Sequence, residues 1–272
     1  TEDSGVPKPR QQTWARGNPE SFPKDIYGHR GEKRPVVYVE SKQPELDAER
    51  LIRKFLRRAL RRPVNEGELD EYLVKVTKRL ANGTAFQDVM ILAYREILTS
   101  PEFMLLREPV GKLDDHALAT RLSYFLWSTL PDEELGKLAD EGKLSDPATL
   151  RSQTERMLKD VRAERFVENF IGQWLGLRQL NTTQPDRKLY PEFMPWISEA
   201  MQMESEAFFA ELLKNDLNVT HFVKSDFAML NEPLAKLYGI EGVRGWDLRR
   251  VPLPEGSVRG GFLTQAAVLK TT

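Results

Sequence analysis

Three histidines, His29, His116 and His221, are the side chains of this 272-residue protein that ordinarily exchange protons near neutral pH, so their placement limits the acid–base chemistry available. No two stand four residues apart, the spacing that sets a pair of zinc ligands on one helix face. No metal site is expected. His116 follows Asp114 and Asp115, which suits a residue at a helix start bonding at the surface; the sharper reading is a general base oriented by a neighbouring carboxylate. The acids Glu199 and Glu206, and likewise Glu204 and Glu211, fall seven residues apart on one long predicted helix, about 10 Å along its axis. That is a long reach for two cooperating carboxylates and favours a wet helix face. Glu204, within Met201-Gln-Met-Glu-Ser-Glu-Ala-Phe-Phe209, is the strongest of the four. The catalytic candidates are therefore Asp115, His116, Arg121 and Glu204, which groups from another chain would have to complete.

Nucleophilic chemistry finds less support. The chain has no cysteine, which excludes disulfides, thiolate nucleophiles, iron–sulfur ligation and covalent c-type haem on this polypeptide. Ser123, Ser128 and Ser257 lack the glycine-flanked elbow of a serine hydrolase, and Gly260-Gly261 lacks the spacing of a phosphate loop. The glycine pair is better suited to close backbone packing or a bend. Methionine thioethers can ligate haem iron, but these methionines lie mostly in apolar helical patterns and read as core. No cofactor is expected on this chain.

The strongest charge feature is a basic stripe, Arg50, Lys54, Arg57 and Arg61, spaced three or four residues apart and flanked by Arg53, Arg58 and Arg62. It reads first as a solvated face pairing with the acidic start of the next helix, Glu66 to Glu71. As a docking surface it would suit an acidic partner, haem propionates included. Forty basic against 41 acidic residues leave a net charge of -1, and no aromatics interleave with the exposed side of the stripe, so nucleic acid is not an expected partner. No apolar run approaches the roughly 20 residues of a spanning helix, and no membrane span is expected.

The elements that must position these groups are chiefly helical. Leu51, Phe55 and Ala59; Leu118, Leu122, Phe125 and Leu126; Phe166, Phe170, Trp174 and Leu177; and Ile197, Met201, Phe208 and Leu212 recur at helical intervals and predict buried faces. The start signals agree: Asn65 with Glu68 makes a capping box, Asp146-Pro147 opens a helix, and Asn82-Gly83 closes one helix before Thr84 can begin the next. A short helix after Pro233 should end at Gly239. Val36 to Val39 and Trp246 to Leu253 read as strands, with a last segment at 259–269. Prolines 7, 9, 19, 23, 35 and 44 mark the start of the chain as an extended arm. The expected fold is mainly α, a multi-helix bundle-like body with this N-terminal arm and a small β-containing C-terminal segment. Its expected divisions are 1–44, 45–108, 109–242 and 243–272.

Several phrases then resemble a family: Arg53 to Val64 with Ile97 to Phe103, Arg121-Leu-Ser-Tyr-Phe-Leu-Trp127 running on to Pro131-Asp-Glu-Glu-Leu135, Gly172-Gln-Trp-Leu-Gly-Leu-Arg178, Leu230-Asn-Glu-Pro-Leu234 with Leu237-Tyr-Gly-Ile240, and Arg259-Gly-Gly-Phe-Leu-Thr-Gln265. In this order they resemble large exported proteins of planctomycete bacteria, in which a c-type cytochrome domain is joined to a string of conserved domains of unknown function. The resemblance implies a periplasmic or otherwise extracytoplasmic location and an internal part of such a protein. It also implies a protein partner, either the downstream part of the same precursor or a cytochrome-bearing chain carrying the haem. Phe262 and Leu263, in the segment that would begin a further domain, join the stripe as partner-contact candidates. The expected function is a non-catalytic helical interaction module of a cytochrome-associated redox assembly. The alternative is part of a haem-coupled oxidoreductase whose active site another chain or segment completes.

Overall fold

The computed structural model describes residues 9–12, 36–105, 108, 110–182, 184–186, 188–190 and 193–271. The chain divides into two compact units, Thr1–Leu118 and Ala119–Thr272. Eleven α-helices among the described residues make the protein mainly helical, as the 3.6-residue periodicity predicts. None of its helices among the described residues is long and apolar enough to cross a membrane.

In the first unit, α1 (Pro44–Leu60), α2 (Glu66–Ala81) and α3 (Phe86–Leu98) pack pairwise around one core. Pro44 in the first turn of α1 is pre-set for helical φ and has no N–H to leave unbonded, and Glu45 and Asp47 sit where the helix dipole favours negative charge. Its buried side is Ala48, Ile52, Leu56, Ala59 and Leu60. Leu51 and Phe55 flank that side, so the predicted stripe is displaced by about one residue. The capping box at α2 forms as expected: the Asn65 side chain accepts from the Glu68 N–H at 2.9 Å, and the Glu68 carboxylate accepts from the Asn65 N–H at 3.1 Å. Most of the expected arm over residues 1–44 lies outside the described residues. Within it, β1 (Pro9–Gln12) pairs antiparallel with β2 (Val36–Val39), Pro9 opposite Val39. The Val39 N–H donates to the Gln87 side chain of α3 at 2.8 Å. A short α4 (Pro101–Met104) follows.

Helix α5 (Asp115–Trp127) leads into the second unit, followed by α6 (Glu133–Asp140), α7 (Pro147–Leu158), α8 (Glu164–Trp174) and α9 (Pro195–Lys214). The buried side of α5 is Ala119, Thr120, Ser123, Leu126 and Trp127, while Phe125 is exposed. Trp127 explains the shift. Its indole N–H donates to the Met157 carbonyl at 2.9 Å, and the Arg162 guanidinium lies 3.4 Å from its ring centroid. Arg156 makes two bonds to Asp132, at 2.8 and 3.1 Å, and Asp132 also accepts the Leu135 N–H that caps α6. Burial pushes the Asp132 carboxyl up, but these bonds hold it below its ordinary value.

The long α9 is the axis of the second core. Its Ile197, Met201, Phe208 and Leu212 are buried, as the periodicity predicts. Against it lie α8, β3 (Phe227–Leu230), α10 (Glu232–Tyr238) and α11 (Ala266–Thr271). Asn231 caps α10, and Gly239 ends it with a φ of 69°, the left-handed conformation that glycine adopts without steric cost. The second strand, β4 (Arg249–Pro252), is shorter than 246–253 and pairs antiparallel with β3, Phe227 opposite Pro252.

Candidate functional site

Glu204 is the one sequence-predicted catalytic candidate buried in the core. It is 1% exposed, on α9, which also buries Ser198 and Ser205. The Tyr238 hydroxyl at the end of α10 donates to its Oε2 at 2.5 Å. The same hydroxyl accepts the Ala266 N–H at 2.8 Å, which ties the start of α11 to both helices. The Arg259 guanidinium lies 4.3 Å from the Tyr238 ring centroid and donates to the Thr264 carbonyl at 2.6 Å. Beside this group, the Ser205 hydroxyl donates to the buried Gln265 side chain at 2.6 Å. Burial pushes the Glu204 carboxyl up to about 8 against the opposing bond from Tyr238 and the nearby charge of Arg259. Burial, together with the neighbouring carboxylate, likewise raises the Tyr238 hydroxyl.

Two glycines allow this closure. Gly260 and Gly261 have φ of 146° and 79°, and a Cβ on them would sit 2.4 Å from the Ser225 carbonyl oxygen and 2.7 Å from that of Phe222. The Thr264 hydroxyl accepts the Gly260 N–H at 2.8 Å and donates to the Gly261 carbonyl at 3.1 Å, shaping a tight turn. The pair therefore serves close backbone packing. The space bounded by Glu204, Tyr238, Arg259 and Gln265 is about 10 Å³, near the lower limit for one water molecule and far too small for an organic substrate. The arrangement locks α9, α10 and the C-terminal segment together and has no room to bind and turn over a ligand.

The other candidates are not among the residues lining this space. Asp115 and His116 lie in the first turn of α5, where the Asp114 side chain accepts the Ala117 N–H at 2.7 Å, and Arg121 is exposed further along that helix. Glu204 is bonded to Tyr238 rather than to any of these. His221 stands against the Phe227 ring at 5.6 Å, and His29 lies outside the described residues.

In the basic stripe, Arg53 bonds Glu66 at 2.6 Å and Arg62 bonds Glu68 at 2.5 Å, the pairing with α2 that the sequence suggests. Arg50 pairs with Asp47 at 2.9 Å, and Arg61 donates to the Phe103 carbonyl at 3.3 Å. Lys54 and Arg57 are exposed. Phe262 is a core residue, 5.1 Å from the Phe208 ring, which leaves Leu263 as the surface member of that pair.

Sequence periodicity misplaces the aromatic side of α8. The helix buries Val167 and Ile171, while Phe170 and Trp174 reach the surface, Trp174 being half exposed at 50%. Their rings belong to a continuous series: Phe125 to Phe166 at 5.0 Å, Phe166 to Phe170 at 5.3 Å, Phe170 to Trp174 at 5.6 Å and Trp174 to Phe222 at 5.4 Å. Exposed Val219 and Val223 lie in the segment around Phe222.

Comparison with known families covers the phrases between Arg53 and Ile240, and the Arg259–Gln265 phrase lies outside the matches. A model described as PSD5, protein of unknown function (DUF1595), matches residues 47–108, and one described as PSD4, protein of unknown function (DUF1592), matches residues 113–240. The chain carries a DUF1595 domain followed by a DUF1592 domain. No curated protein and no solved structure matches it significantly. Within the DUF1592 domain, Trp127 and Asp132 hold the α5–α6–α7 corner, Asn231 caps α10, and Tyr238 anchors Glu204. Tyr238 and Arg259 were legible only as parts of family phrases, because nothing local marks them as partners of a residue on α9.

Proposed function

We propose that this protein is a non-catalytic helical interaction module of an exported, cytochrome-associated redox assembly, and that it binds a haem-bearing polypeptide. The observation carrying this reading is the partly exposed aromatic series Phe125, Phe166, Phe170, Trp174 and Phe222. Aromatic side chains present large contact area at small entropic cost, and interface cores are enriched in them. The closed packing around Glu204 supports binding over catalysis. The cytochrome and the extracytoplasmic location rest on the resemblance of the phrases to planctomycete exported proteins. With no cysteine in this sequence, a covalently held c-type haem would sit on a partner chain or on another segment of the same precursor.

Native mass spectrometry of the assembly purified from its source cells, with a visible absorption spectrum of the same fraction, tests the proposal. A companion polypeptide carrying stoichiometric haem is the expected result. A lone chain, or a companion without haem, contradicts it.

A further inference from the structure

A second feature of the Ala119–Thr272 unit lies apart from the aromatic series. Trp196, at the start of α9, and Trp246, just before β4, line a cleft of about 510 Å³, within the size range of small-ligand sites. The indoles are 49% and 68% exposed. Pro233 and Leu237 supply apolar lining, and Glu232 with Lys236 supplies polar groups.

The backbone carrying Trp246 is fastened in place. The Glu232 N–H donates to the Gly245 carbonyl at 2.9 Å, the Gly245 N–H returns a bond to the Glu232 carboxylate at 2.9 Å, and the Asn231 side chain donates to the Trp246 carbonyl at 3.3 Å. Arg249 adds a bond to the Arg244 carbonyl at 2.6 Å. The loop is thus held by its main chain while its largest side chain faces solvent. A rigid loop that leaves an indole uncovered is preorganised for a ligand, which reduces the ordering cost of binding.

The chemistry of the walls narrows that ligand. Glu232 and Lys236 neutralise each other at 2.6 Å, so the pair gives no net attraction for an anion or a cation, yet retains acceptor and donor capacity at its exposed edge. Two indole faces suit a molecule with a flat C–H surface. A neutral ligand with apolar faces and a rim of hydroxyls is a saccharide. We infer that the Trp196–Trp246 cleft of this unit binds a neutral saccharide, with the indoles stacking on sugar faces and the Glu232–Lys236 pair bonding hydroxyls.

Titration of the full chain with cellohexaose, xylohexaose and maltohexaose, followed by tryptophan fluorescence and calorimetry, tests this. At least one should bind, and Trp196→Ala and Trp246→Ala should each weaken it by about tenfold or more while their melting transitions show that they remain folded. Glu232→Gln with Lys236→Met should also weaken binding without removing the stacking signal. Absence of binding by the folded wild-type protein at millimolar sugar, or binding unchanged in both tryptophan variants, overturns the inference. Preferential binding of decaproline over all three sugars would reassign the cleft to proline-rich peptide and overturn it too.

Discussion

The Tyr238 hydroxyl and the Glu204 carboxyl meet at 2.5 Å across 34 residues of sequence, joining α9 to α10, and the same hydroxyl takes the Ala266 N–H of the C-terminal segment. A carboxyl placed there must be protonated or bonded to be tolerated. Its raised affinity for a proton makes the stability of the fold depend on pH.

The direction of that dependence follows from linkage. Glu204 titrates near 4.5 when unfolded and at about 8 when folded, so between those values the native state holds the proton and the unfolded state does not. The resulting stabilisation is fully present below about 4.5, declines as pH rises, and is lost once pH passes about 8. Its size is of the order of a few kcal/mol. Glu204→Gln should flatten this decline between pH 5 and 8, raising the melting temperature relative to wild type at the upper end. Calorimetric scans across that range check it, and parallel curves for the two proteins would contradict it.

Tyr238→Phe should destabilise the second unit by about 1–3 kcal/mol, because the buried Ala266 N–H and the Glu204 carboxylate both lose their partner. Urea unfolding measures the loss. Faster amide exchange at Ala266 would distinguish this cause from a general loosening.

At the glycine turn, Gly260→Ala and Gly261→Ala should each cost about 2–5 kcal/mol, since positive φ and a backbone overlap act together. Ser128, which already holds a φ of 52°, gives a contrasting site. Ser128→Gly should be nearly neutral or slightly stabilising, and equal losses at all three positions in urea unfolding would contradict this explanation.

Much of the helical fold is legible in the sequence because its signals are local. The Asn65–Glu68 box, the Asp146 cap and the Gly239 stop each act within four residues, and the structure contains all three. The buried sides of α5 and α8 were less legible, because Phe125, Phe170 and Trp174 are apolar residues at helical spacing whether they face the core or the surface. Glu204 stood out for its phrase, yet its partners come from α10 and the Arg259 segment, and no spacing rule links such distant positions. The tryptophan cleft was hidden for the same reason, since Trp196 on α9 and Trp246 before β4 line it together although they are far apart in sequence.

The proposed interaction role is tested most directly by recovering the assembly from source cells with tagged wild-type protein and with a Phe170→Ser/Trp174→Ser variant, reading haem absorbance and chain masses in each eluate. Both residues are partly exposed but also pack on Phe209 and Phe262, so circular dichroism must first show that the variant remains folded. The account predicts that wild type brings down a haem-bearing companion and that the variant loses it by about tenfold or more, as truncation of aromatic anchors at an interface does. Equal recovery of haem by both proteins, or its absence from the wild-type eluate, would contradict it.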